Sequence, residues 1–330
     1  MCGIAGYLNF NGKANAEILQ RMLSSIEHRG PDGLSGFVDK QVAMGTARLS
    51  IVDLKGGTQP ALSENRDVSV VFNGEIYNYI EERNLLIQKG HIFSTNSEVE
   101  TLLALYLEFG SNFVLRLNGQ FAIAIWDGRN ETLHLYRDRL GIRPLFCHRS
   151  NKGFIFASEI KAIFQHEEVS PRLNPKSIAQ TFRFWTNIGD TSSFEDIQQL
   201  PPGHHGIFKR KQMTVERYWN WPFPSEQKPL KLSSDEEYFE AFSEELGASV
   251  SRRKMADVTI GSYLSGGIDS SILALSLSEQ MDAKMLQTYS IAFSDPEFDE
   301  SSAQKKVVKH LGVANTEVLI TANSIREVFP

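Results

Sequence analysis

Residues 2–7, Cys2-Gly3-Ile4-Ala5-Gly6-Tyr7, follow directly on Met1. Removal of the methionine puts a thiol and a free α-amine on one residue. An α-amine has an ordinary pKa of about 7.7–8.0, close enough to neutrality to accept a thiol proton, the task that histidine performs in other cysteine enzymes. Nucleophile and general base then belong to the same amino acid. Taken alone, a cysteine here reads as a small apolar residue opening a strand. The rest of the chain has to decide.

Composition narrows the field. The 330 residues, 41% hydrophobic and 22% charged, describe a globular chain long enough for two cores. A formal charge of −6 leaves no basic stripe for a phosphate backbone, so nucleic acid is not an expected partner. With two cysteines, Cys2 and Cys147, and no CxxC pair, the chain reads as neither a disulfide scaffold nor a zinc protein. A reducing compartment, the cytoplasm, is expected. No signal-peptide pattern and no apolar run of membrane-spanning length occurs, so a membrane partner is not expected either.

Residues 2–9 alternate as a strand, and Ile18, Leu19, Met22, Leu23 and Ile26 recur at helical spacing up to Gly30. Strands are predicted at 42–52, 68–73, 119–126, 132–137 and 153–157, joined by turns rather than crossover helices, which implies antiparallel pairing. Ser97-Glu98-Val99-Glu100 has the form of a capping box opening an apolar helix that stops at Gly110. From 220 to 234, Trp221-Pro222-Phe223-Pro224, Lys228-Pro229 and Ser233-Ser234 read as a linker and a helix N-cap. Beyond it a helix is predicted from Asp235 to Lys254, then strand 257–264, helix 269–281, strand 286–293, helix 299–311 and strand 315–320. That alternation implies a parallel sheet.

Chemistry-bearing residues cluster in the first part: Cys2, Thr46-Ala47-Arg48-Leu49-Ser50-Ile51-Val52-Asp53, Phe72-Asn73-Gly74-Glu75-Ile76-Tyr77-Asn78 and Ser97-Glu98-Val99-Glu100. Singly, each has a bland reading. Asn73-Gly74 is a common type I′ hairpin turn, Arg48 a surface arginine, and Glu98 a helix-start acid. Together with Arg29-Gly30-Pro31-Asp32-Gly33 and Asp138-Arg139-Leu140-Gly141-Ile142-Arg143-Pro144-Leu145, they resemble the glutaminase domain of class II glutamine amidotransferases, members of the N-terminal nucleophile hydrolases. The resemblance implies an α+β, αββα-type domain over 2–220 in which Cys2 attacks the glutamine side-chain amide, with Asn73 and Gly74 as oxyanion donors. Arg48, Ile51, Val52, Asn73, Glu75 and Glu98 are then the glutamine-binding residues. The family usually carries aspartate at the last position. Glu98 keeps the charge with one more methylene, so either the substrate ammonium sits differently or the helix start retreats.

A second motif, Ile260-Gly261-Ser262-Tyr263-Leu264-Ser265-Gly266-Gly267-Ile268-Asp269-Ser270-Ser271, runs from an apolar strand through a glycine turn into a helix. Such a turn aims backbone N–H groups at one point and lets a phosphate approach the main chain. It lacks the GxxxxGK[ST] lysine of a Walker A loop and resembles the PP-loop of enzymes that split ATP into AMP and pyrophosphate. With Thr288-Tyr289-Ser290-Ile291-Ala292-Phe293 and Glu297-Phe298-Asp299-Glu300-Ser301, it resembles the synthetase half of glutamine-hydrolysing asparagine synthetases. That implies an α/β PP-loop domain over 235–330 after a 221–234 linker, with ATP on Leu264, Ser265, Gly266, Gly267, Asp269, Ser270 and Ile291, and magnesium at Asp269. Glutamine, ATP and aspartate are the implied partners, with a homodimer left open. The chain stops after three predicted parallel strands, so the synthetase half is expected to be truncated. Amidation of another carboxylate, and a non-catalytic glutamine- or nucleotide-binding module, are the competing expectations. Cys147 is expected to be a buried strand residue, and His204-His205 a structural turn.

Overall fold

The computed structural model describes residues 2–209, 211–223, 231–282 and 285–328. The chain divides into two compact units, Met1–Phe223 and Pro224–Pro330. Of the predicted linker, residues 224–230 lie outside the described residues.

The first unit opens with β1 (Gly3–Asn9), α1 (Ala16–Ser24), β2 (Gly33–Asp39), β3 (Val42–Arg48), β4 (Ala61–Leu62) and β5 (Val68–Ile76). Next come α2 (Tyr79–Gln88), α3 (Glu98–Phe109), β6 (Gly119–Asp127), β7 (Thr132–Arg137), β8 (Phe146–Arg149) and β9 (Gly153–Ala157). The unit closes with α4 (Ile160–Ile163), α5 (Pro175–Phe184), β10 (Ile197–Gln199), β11 (His204–Lys209) and β12 (Gln212–Arg217). Two antiparallel six-stranded sheets result, ordered β10-β8-β9-β1-β3-β2 and β12-β11-β7-β6-β5-β4.

Side-chain alternation along the strands explains the layering. On β1, Ile4 and Leu8 join Val42, Met44, Val71, Ala122, Trp126, Leu135 and Phe156 in the core between the sheets. Ala5 and Tyr7 point the other way, onto Leu19, Met22 and Leu23 of α1 and Ala162 and Ile163 of α4. On β5, Val68, Val70 and Phe72 pack instead with Leu86 of α2 and Leu102 and Leu105 of α3. The order is helix, sheet, sheet, helix. Cys147 is buried on β8, where desolvation pushes its thiol up to about 12. His205, on β11, is also buried and lies 3.0 Å from His134 of β7, ring nitrogen to ring nitrogen. Desolvation lowers both imidazoles, His134 to about 4 and His205 to about 3.

The second unit starts with α6 (Asp235–Arg252), whose Ser234 cap accepts a hydrogen bond from Glu237 N–H. It continues through β13 (Gly261–Tyr263), α7 (Ile268–Gln280), β14 (Gln287–Phe293), α8 (Ser301–Leu311), β15 (Ala314–Ile320) and α9 (Ala322–Val328). The three strands are parallel, in the order β13-β14-β15. The strand predicted over 257–264 is confined to Gly261–Tyr263, because only those residues pair with β14.

Candidate active site

A narrow cleft in the first unit is lined by Cys2, Arg48, Leu49, Ile51, Val52, Gly57, Gln59, Phe72, Gly74, Glu75, Ser97, Glu98 and Val99. Segments separated by nearly a hundred residues meet here because the start of β1 lies beside the end of β3, and the last part of β5 and the start of α3 reach the same place. Cys2 precedes β1, and its thiol lies 3.4 Å from the Leu49 carbonyl oxygen and 3.3 Å from the Leu49 nitrogen, at the exit of β3. The Arg29 Nε–H donates to the Cys2 carbonyl at 3.0 Å, and the Arg29 guanidinium is held in turn by Glu159 at 2.9 Å. Desolvation pushes the Cys2 thiol above its ordinary value, against the lowering effect of the Leu49 N–H. The thiol is therefore protonated at neutral pH and needs a base to become a nucleophile.

Asn73 and Gly74 do not form a hairpin turn; they lie inside β5, paired with Ala122 and Phe121 of β6. A side chain at Gly74 is excluded by its neighbour, since a Cβ there would sit 2.1 Å from the Gln120 carbonyl oxygen. The hairpin reading fails because close strand approach, rather than a left-handed turn, requires this glycine. Phe121 gives its N–H to the Asp138 carboxylate at 3.2 Å and receives the Asp138 N–H at 2.9 Å. Both Phe121 main-chain groups thus face away from β5, which makes Gly74–Phe121 a non-hydrogen-bonded pair and turns the Gly74 N–H toward the cleft. By alternation Asn73 faces the inter-sheet side, as Val71 does. It is 1% exposed, and both atoms of its side-chain amide lack a hydrogen-bond partner among the described residues. It does not line the cleft itself. A buried amide with neither group satisfied costs stability and calls for an explanation, such as a ligand that completes it.

Two carboxyl groups close the other end. The Ile76 N–H donates to Glu98 Oε1 at 2.6 Å, and the Glu98 and Glu75 side chains hydrogen-bond to one another. Glu98, 6% exposed, is pushed well above the usual carboxylate range by desolvation and then by the Glu75 charge. Glu75 is raised less, also by desolvation, with Arg143 opposing the shift. Both shifts favour a shared proton on the pair, and Glu98, raised the more strongly, is the carboxyl that burial and its neighbour most disfavour in the charged form. Glu98 is the first residue of α3, directly after the Ser97 cap. Ser97 caps α3 by accepting from Glu100 N–H, yet the Glu100 carboxylate reaches back to the Ser94 and Thr95 N–H groups instead of closing the predicted box on Ser97. Arg48 Nη2 donates to the Asp53 carbonyl at 2.8 Å, and the Asp53 carboxylate accepts from Gly56 and Asn96, which folds the loop bearing Ile51 and Val52 against the start of α3.

Leu49, Phe72, Ser97 and Val99, which fall within the quoted segments without an expected role in the chemistry, also line the cleft, as do Gly57 and Gln59, which fall outside them. Gln59 is 5% exposed, and its Oε1 accepts the Phe72 N–H at 2.7 Å. Its only advance signal was a polar residue before Pro60 in a turn-rich stretch.

In the second unit, Gly266 has φ +83°, and a Cβ there would lie 2.9 Å from Ala303 Cβ, so glycine is required. Ser265 Oγ is 2.9 Å from Ser270 Oγ and accepts the Gly267 N–H at 3.3 Å, while Ser270 and Ser271 hydroxyls donate to the Gly267 carbonyl. Gln304, buried and unforeseen, donates to the Ile291 carbonyl at 2.9 Å and ties the loop to β14. Leu264 is 1% exposed, whereas Ile291 is 48% exposed on its strand. Asp269 is an exposed carboxylate in the first turn of α7. No group of three or more metal-ligating side chains is found among the described residues.

The chain shares its fold with a solved structure of the allosteric regulatory enzyme of purine biosynthesis. That likeness has a TM-score of 0.51 at 15% identity, covers 97% of this chain and 80% of the other, and concerns the fold alone. The family model of the glutamine amidotransferase domain matches residues 1–219, and the chain belongs to that family. The asparagine synthase family model matches residues 241–330. Among curated relatives, glutamine-hydrolysing asparagine synthetase 3 of Bacillus subtilis is 32% identical over 92% of this chain and 50% of its own length. Glutamine-hydrolysing asparagine synthetase 2 of the same organism is 35% identical over 97% of this chain and 44% of its own length. The chain thus spans about half the length of the curated relatives it matches.

Proposed function

We propose that the chain is a glutamine-dependent carbon–nitrogen ligase of the asparagine synthetase type, and that its first unit releases ammonia from glutamine. The observation that carries this reading is the cleft that brings the Cys2 thiol, the Gly74 N–H, Arg48, Glu75 and Glu98 together, with the unsatisfied Asn73 amide on the residue next to Gly74. Two donors next to a sulfur are what a tetrahedral oxyanion needs.

After removal of Met1, the Cys2 thiol gives its proton to its own α-amine, and Sγ attacks the glutamine side-chain carbonyl. The oxyanion is held by Asn73 and the Gly74 N–H. Collapse breaks the carbon–nitrogen bond, the α-ammonium returns the proton to the leaving ammonia, and water then hydrolyses the thioester to glutamate. Arg48 holds the substrate α-carboxylate through its planar fork. The charge of the Glu75–Glu98 pair, with the main chain of Ile51 and Val52, receives the α-ammonium.

In the second unit the acceptor carboxylate, aspartate, attacks the α-phosphorus of ATP to give an acyl-adenylate with release of pyrophosphate, and ammonia then attacks the acyl carbon and expels AMP. The loop Ser265-Gly266-Gly267 and Ser270 receive the phosphates, Ile291 and the Leu264 main chain flank the adenine, and Asp269 meets magnesium arriving with the nucleotide. A single carboxylate suits that role, since magnesium is usually bound by one or two carboxylates plus substrate phosphates. The reducing cytoplasm suits a free thiol nucleophile.

Purified chain given glutamine releases glutamate and ammonia, and intact mass shows Met1 removed. Cys2→Ala abolishes the release; turnover that survives this substitution overturns the reading.

A further inference from the structure

One residue that the proposed chemistry does not use sits against the oxyanion donors. The β4–β5 ladder pairs Leu62 with Ser69 and Ala61 with Val70, so its antiparallel continuation sets Gln59 opposite Phe72. The main-chain ladder ends at Ala61–Val70, and the Phe72 N–H finds no main-chain acceptor on Gln59. The Gln59 side chain takes over, its Oε1 accepting the Phe72 N–H at 2.7 Å. Its main chain is anchored as well, since the Ser35 hydroxyl of β2 donates to the Gln59 carbonyl. Along the same edge of β5, N–H groups recur every second residue, about 6.6–6.8 Å apart. Phe72 donates to Gln59, Ile76 donates to Glu98 at 2.6 Å, and the Gly74 N–H between them has no side-chain acceptor among the described residues. The row reads bound, open, bound.

We propose that Gln59 is a positioning residue of the glutaminase: by holding the Phe72 N–H it fixes the twist of β5, and with it the direction of the Gly74 N–H and of the adjoining Asn73 amide. It also occupies an edge donor that would otherwise pair with solvent or another strand. The proposal rests on the glutaminase reading above. Gln59 acts through the strand and not on the substrate, so it governs turnover rather than binding.

The test uses the full chain and three proteins: wild type, Gln59→Met, which has similar length but no carbonyl, and Gln59→Glu, which keeps an acceptor oxygen. Losing an oxyanion donor outright costs about 10²–10³ in kcat, so misaligning one lowers kcat by about 10–100-fold in Gln59→Met, with KM for glutamine within about threefold. Gln59→Glu recovers most of the loss. Amide hydrogen exchange at Phe72 is slow in wild type and Gln59→Glu and fast in Gln59→Met, whether or not glutamine is turned over. Should Gln59→Met not fold, Ser35→Ala, which removes only the main-chain anchor, carries the test with a smaller loss of kcat. Unchanged kcat in the folded variant, a rise in KM at constant kcat, or equal loss in the Met and Glu variants overturns the proposal. A wild-type chain without glutaminase activity that still shows the exchange difference sinks the catalytic reading and leaves the strand clamp standing.

Discussion

Glu98 shows how one methylene changes the division of labour at a site. The side chain reaches both the Ile76 N–H and Glu75, and of the two carboxyls it is the one raised more strongly. A shared proton lowers the charge that two neighbouring carboxylates would otherwise bury together. The arrangement has a thermodynamic signature. Glu98 in the folded chain stays protonated above the pH of about 4.3 at which an unfolded glutamate ionises, so the folded state holds the extra proton and stability falls as pH rises through the raised folded pKa. Glu98→Gln keeps the acceptor oxygen for Ile76 and a donor for Glu75 while removing that titration. Thermal melts of the variant are expected to lie above wild type at about pH 8 and to converge with it near pH 4. A variant that melts lower than wild type at the higher pH refutes the protonated assignment.

At the scale of elements, what could be read from the chain depended on whether the signal was periodic. β5 and β6 are buried on both faces in long apolar runs, and α3 carries Leu102, Leu103 and Leu105 behind a serine cap, so all three are legible. β2 is not, because it is an exposed edge strand with no apolar alternation. α2 is missed for a similar reason. Its apolar residues are scattered around the helix, with Leu86 buried while Ile80 and Ile87 are half exposed. In the site, side chains with chemistry of their own, Cys2, Arg48, Glu75 and Glu98, stand out in sequence. Gln59 and Leu49 do not, since the one substitutes for a strand partner and the other acts through its main chain. Gly74 belongs to both groups: its identity is visible, its reason is not. The reason is the Gln120 carbonyl 2.1 Å from where a Cβ would stand and Phe121 Cα at 2.7 Å, both backbone atoms that can move only by parting β5 from β6. Gly74→Ala is expected to cost about 1–3 kcal/mol by overpacking, which lowers the melting temperature by several degrees in a domain of this size. It should also turn the N–H away from the cleft and remove glutamine hydrolysis. A variant with wild-type melting temperature and turnover contradicts the close-approach argument.

On the scale of the whole molecule, the distribution of burial separates the two units. The three cores of the first unit are assembled between Ile4 and Tyr218, and all thirteen cleft residues fall between Cys2 and Val99. Nothing the proposed glutaminase uses comes from beyond Phe223. The second unit, by contrast, presents Tyr263, Ile291, Val318 and Leu319 at 85%, 48%, 50% and 60% exposure on its parallel sheet, so its burial is far less complete. A chain of about 220 residues with its own layered core is within the range that folds independently. The chain 1–223 is therefore expected to unfold in one cooperative transition and to hydrolyse glutamine without ATP at a kcat within about twofold of the 1–330 chain, because sites remote from one another contribute independently. Calorimetry and a coupled glutamate assay on the two chains make the comparison. If the shorter chain has no cooperative transition, or folds yet turns glutamine over only when residues 224–330 are supplied, then the second unit completes the first, and the cleft is not a self-sufficient catalytic site.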